Sequence, residues 1–436
     1  MSSNTPRELA VFVYGRINTR DNCPNAELLE AIFNSLYLTS LKTEEGLPIT
    51  CSVAYFGKDG PDPAPPHRIR DQRWTFTSFE KQIPLTVDNL SKVALASDPT
   101  TSSLGISQAK NGKLFIRGIF DQQAGLNAWL RHETDGGFSP PGIFQARAVD
   151  VGHVMVTDGL EIIAELRGGN LIQNTIDVFP CGVVSKKLDP GYDKLSARIH
   201  ENVATEGYEF GEEEDGHCYS HWLKLIKRIL LCARDFGHGG AFLVAQKPKQ
   251  KNLKIKYELR YERIPELFEK LMSAQIIEHQ VRREMYDEFE EQPESLNSDL
   301  YFQARCAEYD SSDAEEALAA AISHVATLSR VDGLVLMDGC LNVVGFGTEI
   351  ITKGNSKILP YLANHASPTK AKISKLDIER FGTRHRSMVR YCTTDENACG
   401  FVVSSDGPVR SIARTGKRVY FWPNVQLGLV RGARGA

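Results

Sequence analysis

Apolar residues recur along this chain with two different periods. Leu29, Ile32, Phe33 and Leu36 repeat at helical spacing, whereas Leu9 to Tyr14 and Cys51 to Phe56 are short apolar runs suited to buried strands. Gly60-Pro61-Asp62-Pro63-Ala64-Pro65-Pro66 can be neither helix nor central strand and reads as a surface loop. From there to about residue 180 the punctuation is that of hairpins. Asn111-Gly112 precedes Lys113 to Phe120, and Asp158-Gly159 separates Val154-Met155-Val156 from Leu160 to Leu166. Residues 1–190 are therefore expected to form a β-rich α+β domain, closed by Leu188-Asp189-Pro190-Gly191.

The second half changes character. After an acidic break at Glu212 to Asp215, Trp222, Ile226, Ile229, Leu230 and Ala233 line one helix face. That helix stops at Phe236-Gly237-His238-Gly239-Gly240, and Ala241 to Ala245 follows as a strand. Pro265 starts a helix with Leu267, Leu271 and Ala274 inside, and the acidic stretch Glu284 to Asp299, interrupted by Pro293, reads as a solvated excursion. Ser312-Asp313-Ala314-Glu315 is a capping-box pattern that opens a helix with Leu318, Ile322, Val325 and Leu328 on its core face. It leads into a buried strand, Val331 to Met337, with Asp332 at its mouth and 341–350 as its partner. A helical segment near Lys375 to Phe381 precedes Phe381-Gly382-Thr383-Arg384-His385-Arg386-Ser387, where an amphipathic helix begins. Strands at Gly400 to Val403, Val409 to Ala413 and Arg418 to Trp422, separated by Asp406-Gly407 and Thr415-Gly416, close the domain. The expected architecture is α/β: a central mixed β-sheet flanked by helices over 195–427, with an insertion at about 250–310 and a frayed tail at 428–436.

Composition narrows the setting. With 436 residues, 42% of them apolar and 24% charged, the chain can bury more than one core, and its net charge of -4 argues against coating nucleic acid. It has no helix-hairpin-helix pattern and no basic stripe studded with aromatics, so nucleic acid is not an expected partner. No run of eighteen apolar residues and no charged lead into an apolar segment occur, which predicts a cytoplasmic protein without membrane span or signal peptide. Nine cysteines at scattered spacings without a C-x-x-C predict reduced, mostly packed thiols, Cys392 and Cys399 among them.

Candidate chemistry gathers late in the chain. Gly382, Thr383, Arg384, His385 and Arg386 combine a helix start with two fixed positive charges, and such a surface attracts phosphate. Asp332 admits two readings: a carboxylate that binds a divalent cation or accepts a proton, or a turn aspartate that caps a backbone group. Its setting favours the first, because Gly382 to Arg386 and then Ser404-Ser405-Asp406-Gly407 follow at strand and helix ends. Phosphoryl chemistry needs that inventory of acids, hydroxyls and cradle. His217 and His221, spaced i, i+4 beside Cys218, can hold zinc or simply face solvent, and with no third ligand placed the second reading is favoured. His238, between glycines, is better read as shaping its turn.

These motifs resemble those of the diadenylate cyclases, which join two ATP molecules into cyclic di-AMP. The family's Asp-Gly-Ala appears as Asp332-Gly333-Leu334, its Gly-Thr-Arg-His-Arg as Gly382 to Arg386, its Ser-Glu-Glu as Ser404-Ser405-Asp406, and its first core strand as Gly240-Ala241-Phe242-Leu243-Val244. The resemblance covers about half the chain, and the first half looks like a sensor region. It implies that Asp332 and Gly333 are catalytic and that Mg²⁺ or Mn²⁺ is held by Asp332 and Asp406. Leu334, Gly382, Thr383, Arg384, His385, Arg386 and Ser404 would contact ATP. A homo-oligomer with apposed sites is implied as well. Two departures stand out: Leu334 replaces a small alanine, and Ser405-Asp406 replaces paired glutamates. They leave open a degenerate, nucleotide-binding sensor or a synthase of another, linear or non-adenine, dinucleotide.

Overall fold

The structure is a computed structural model that describes residues 4–57, 75–121, 128, 131–132, 143–159, 161–172, 175–291, 298–404 and 408–428. The loop at Gly60 to Pro66, Trp129, Leu160, Pro293, Ser405, Asp406, Gly407 and the tail from 429 lie outside the described residues. The chain divides into two compact units between Thr175 and Ile176, ahead of the 190–195 stretch expected to separate them.

The first unit opens with α1 (Pro6–Ile17), where the sequence predicted a strand from Leu9 to Tyr14. A short apolar run has no decisive period, and the start signal before it settles the matter. Pro6 occupies the first helical position, and the Thr5 amide donates to Glu8 Oε2 at 2.7 Å in a capping box. Leu9, Ala10, Val13 and Ile17 then share the buried face. α2 (Ala26–Ser40) follows as predicted, its Asn25 side chain accepting from the Leu28 amide at 2.9 Å.

Besides a short ribbon of Thr43–Glu44 with Leu47–Pro48, the strands of this unit are β1 (Cys51–Tyr55), β2 (Thr75–Pro84), β3 (Ser102–Gln108), β4 (Leu114–Asp121), β5 (Phe144–Asp150), β6 (His153–Asp158), β7 (Glu161–Arg167) and β8 (Asn170–Ile172), with α3 (Val87–Ala94) after β2. Among the described residues they form an eight-stranded sheet in the order β8-β7-β6-β5-β1-β3-β4-β2. β1 and β3 are parallel and every other neighbouring pair is antiparallel, so the β3/β4 and β6/β7 hairpins stand where their turn residues predicted them. Val53, Tyr55, Phe144, Val154 and Val156 pack on Leu29, Phe33 and Leu90 in one core.

In the second unit, α4 (Ser185–Thr205) carries Pro190 inside it, so the Leu188 to Gly191 segment is helix rather than a closing turn. Burial of Leu188, Tyr192, Leu195 and Ile199 offsets the one backbone bond that proline removes. α5 (Glu212–Asp235) takes the acidic residues into its first turn, where the helix dipole favours them, rather than breaking before them. β9 (Gly240–Ala245), β10 (Leu253–Lys254) and β11 (Tyr257–Tyr261) precede α6 (Arg263–Glu291) and α7 (Ser298–Leu328). α7 runs through Ser312, so the capping-box pattern there is not a helix start. Buried Ala304 and Ala307 continue the apolar stripe upstream, and that burial outweighs a local cap signal. The 250–310 stretch expected as an insertion supplies β10 and β11 to the sheet and Ile264, Phe268, Leu271 and Met272 to the core.

β12 (Leu334–Met337) and β13 (Val343–Ile350) are followed by β14 (Leu359–Ala363) and β15 (Ile373–Lys375). The helical segment predicted near Lys375 to Phe381 shrinks to one 3-10 turn, Ile378–Arg380, leading into α8 (Thr383–Thr394). β16 (Ala398–Val403), β17 (Val409–Thr415) and β18 (Arg418–Trp422) complete a ten-stranded sheet among the described residues, ordered β10-β13-β12-β9-β16-β17-β18-β14-β15 with β11 also paired to β13. It is mixed: β9 and β12, and β14 and β18, are parallel. Trp222, Ile226, Phe268 and Ile322 pack against Phe242, Val335 and Phe401 on one face. Met388, Val389 and Cys392 of α8 cover Leu243, Leu336 and Ile412 on the other. Among the described residues no disulfide forms, and no helix is long and apolar enough to cross a membrane.

Candidate functional site

One end of the second sheet gathers the starts of β9, β12 and β17 and the ends of β13 and β16. Leu334 pairs with Thr348, Ala241 with Val402, and Val402 with Arg410. The parallel pair Phe242–Val335 sets Ala241 beside Leu334. Thr348, Leu334, Ala241, Val402 and Arg410 thus form a lateral row across five strands, on the face that α8 covers. This row floors a cleft of about 930 Å³, whose walls are the Asp332-Gly333 bend and the start of α8.

The packing of α8 fixes that wall. Met388 lies flush on Gly400, where any Cβ would fall 2.2 Å from the Met388 sulfur, so only glycine lets the helix sit this close. Phe381 packs on buried Phe421 with ring centroids 4.9 Å apart, and His385 lies 5.6 Å from Phe381. Gly382 is the N-cap and has no side-chain acceptor to offer the first-turn amides. A helix start of this kind can receive an anion on its free first-turn donors and positive dipole end. Arg384 extends from this turn, its Nη2 3.6 Å from Asp332 Oδ1.

Asp332, Gly333, Leu334, Gly382, Thr383, Arg384, His385 and Ser404 all line the cleft. Arg386 is not part of its lining; its Nη1 donates to Glu379 Oε2 at 2.8 Å, outside the cradle the sequence assigned it. Asp406, expected at the metal, lies outside the described residues. The Asp332 carboxylate is fully exposed, whereas Leu334 is only 4% exposed and belongs to the core beneath α8.

Sequence reasoning missed four polar lining residues, Thr348, Glu349, Arg380 and Arg410. Arg410 is the most consequential. Its Nη1 donates to His385 Nε2 at 3.1 Å and also to Ser404 Oγ, and its guanidinium lies 5.9 Å from the Phe381 ring centre. Donation to Nε2 requires that nitrogen to be an acceptor, so His385 carries its proton on Nδ1 and is neutral in this arrangement. A signal was present. Arg410 stands two residues before Ile412, and alternation puts both on the same sheet face.

Among the described residues no group of three or more His, Cys, Asp or Glu is arranged to hold a metal. His217 and His221 have ring centroids 4.3 Å apart, with His221 Nδ1 3.0 Å from the His217 carbonyl oxygen. Among the described residues the carboxylates of the cleft are Asp332 and, on the neighbouring strand, Glu349. These donors suit a cation that arrives with phosphate ligands of its own.

Residues 18–121 match a family described as "Probable sensor domain DACNV", a stretch that runs from the end of α1 to the end of β4. That match supports a sensor domain in the first unit. No curated protein matches the chain. A solved structure described as a hypothetical membrane spanning protein from Bacillus cereus is 13% identical, with a TM-score of 0.23, over 55% of this chain and 95% of that one.

Proposed function

We propose that the second unit is a nucleotidyltransferase of the diadenylate cyclase type, which condenses two ATP into cyclic di-AMP under control of the sensor-like first unit. The observation that carries this reading is the joining, in one cleft, of a fully exposed carboxylate, an uncapped helix start with Arg384, and the Arg410–Ser404–His385 cluster. The triphosphate lies on the first turn of α8 and on Arg384. Asp332 accepts the proton of the ribose 3′-hydroxyl as its oxygen attacks the α-phosphorus of the facing ATP, and the bond to pyrophosphate breaks. Repetition with the roles exchanged closes the ring. Because one cleft holds one ATP in this scheme, two copies of the chain face each other. Asp332, aided by Glu349, would hold Mg²⁺ or Mn²⁺, which when bound neutralises phosphate charge and favours departure of pyrophosphate.

Incubating the full chain with ATP and Mg²⁺ or Mn²⁺ and resolving products by mass tests the proposal. Cyclic di-AMP is expected, with loss of at least about 100-fold in rate for Asp332→Asn. Arg384→Ala should raise the ATP requirement about tenfold or more, the cost of one charged hydrogen bond. Absence of any linear or cyclic dinucleotide from every common NTP, with the protein oligomeric, would defeat the catalytic reading. A second reading, nucleotide binding without turnover, has one observation in its favour: the Leu334 side chain occupies the cleft floor where the resembling motif has alanine. Saturable ATP binding that needs Arg384 but yields no product would select it.

A further inference from the structure

Away from the cleft, the second unit holds a groove of about 830 Å³ between α4, α6 and α7. α4 and α6 lie side by side in the same direction. Arg198 pairs with Glu269 at 2.5 Å, and just past the end of α4 the Glu209 amide donates to Gln280 Oε1 at 3.0 Å. α7 joins them toward the far end, where Arg282 Nη2 meets Glu308 Oε2 at 3.1 Å. Ser273, Ala274, Ile277 and Val281 on α6, with Ala307 on α7, give the groove a floor of short or apolar side chains. From Glu266 to Val281 the α6 wall runs about 22 Å.

The walls carry charge mostly of one sign. Among the described residues, Glu206, Glu266, Glu269 and Asp310 line the groove against one cation, Lys270. Burial pushes the Glu269 carboxyl above the usual carboxylate range, and Glu266 adds to that push while Arg198 opposes it. Near Glu206 the Tyr208 phenol is pushed up as well, by burial and then by Glu284 and Glu206. Both ends of the groove therefore favour positive charge. These acids are spread out rather than convergent, for among the described residues no group of three or more His, Cys, Asp or Glu is placed to hold a metal. The pairing of α4 with α6 sets Glu206 level with Ile277, about 12 Å along the axis from Glu269. Midway between them on the floor is Ser273, 9% exposed, whose Oγ has no hydrogen-bond partner among the described residues. A buried hydroxyl without a bond is unfavourable, and a donor arriving from the groove offsets that cost. Separated acids, an apolar floor and a hydroxyl between them suit a chain of ammonium groups spaced by methylenes, not a compact ion.

We propose that this groove binds a linear aliphatic polyamine. One terminal ammonium group lies at Glu266 and Glu269, an inner amine donates to Ser273 Oγ, the methylenes cross Ala274 and Ile277, and the other end points toward Glu206 and Asp310. The groove shares no lining residue with the nucleotide cleft, and the proposal does not rest on the chemistry assigned there. Its test is isothermal titration of the full chain without nucleotide, at matched ionic strength, with spermidine and with butylamine as the single-ammonium control.

The expected result is saturable spermidine binding, about tenfold or more tighter than butylamine, that persists when Mg²⁺ replaces Na⁺. Glu206→Gln combined with Asp310→Asn should weaken it about tenfold or more, as loss of charged hydrogen bonds does, and Ser273→Ala should weaken it several-fold. Asp193→Asn combined with Glu212→Gln removes the same charge from exposed acids outside the groove and should leave the affinity unchanged. Without spermidine, Ser273→Ala should melt no lower than the native chain, because the hydroxyl it removes is buried without a bond. A lower melting temperature for that variant would assign the hydroxyl to the fold and overturn the proposal. So would absence of saturable spermidine binding, full displacement by Mg²⁺, unchanged affinity in Ser273→Ala, or equal losses in the two double variants. None of these readouts depends on nucleotide turnover.

Discussion

Gly333 joins the exposed Asp332 to the buried strand β12, and its backbone has a φ of +113°, where side chains are strained. Space is lacking too. A Cβ there would lie 2.5 Å from the Gly347 carbonyl carbon and 2.8 Å from the Thr348 amide, both backbone atoms that cannot swing aside. Gly333→Ala should therefore cost about 2 kcal/mol or more of stability and displace Asp332, checked by urea denaturation and by ATP titration of the folded variant. A normal urea midpoint would refute the close-approach account. Asp332, Gly333, Gly382 and Arg384 were legible in the sequence because a glycine beside an acid, and arginine at a helix start, are local patterns. Arg386 and Arg410 were not. Residues two apart on a helix point in different directions, so Arg386 leaves the cleft that Arg384 enters, while Arg410 enters through a strand pairing that adjacent residues do not reveal.

The element that shapes the cleft is α8, held by Met388 against Gly400 and by Phe381 against Phe421. Met388 is wholly buried, so Met388→Ala should leave a cavity and cost about 3 kcal/mol. Loosening its seat should also weaken nucleotide binding, although Met388 is not among the phosphate ligands proposed. Comparing urea midpoint with ATP affinity in this variant checks both, and unchanged affinity in a destabilised protein would separate the helix seat from the site. Elements were legible where length and period agreed, as in α2, α5, β9 and the hairpins. They were misread where a local signal stood alone. The Ser312 capping pattern lost to a continuous apolar stripe in α7, the short run in α1 had no period of its own, and Pro190 was absorbed into α4 by burial of its neighbours.

At the scale of the whole chain, each unit closes thiols into its own core: Cys51 in the first, Cys392 and Cys399 in the second. Burial pushes the Cys51 and Cys399 pKa values up to about 12, and Cys392 upward as well. In the unfolded chain these thiols ionise near the ordinary value of about 8.5. Each folded-state pKa is raised, so the stability linked to it is fully present below about pH 8.5 and falls as pH climbs toward the folded value, where the unfolded state binds fewer protons. At pH 10 the loss should be about 2 kcal/mol per thiol, an order-of-magnitude figure from the gap between pH 10 and the unfolded value. Urea unfolding at pH 8 and pH 10 checks it, with each core reported by alkylation of its own cysteine. Protection of Cys51 reports the first sheet and that of Cys392 and Cys399 the second, whereas exposed Cys181 and Cys306 should react in the native protein at pH 8. Replacing Cys399 with alanine removes one buried ionisation from the second core alone, so its pH dependence should flatten while that of the first is unchanged. A second core whose midpoint falls equally in that variant would mean that groups other than this thiol govern its alkaline stability.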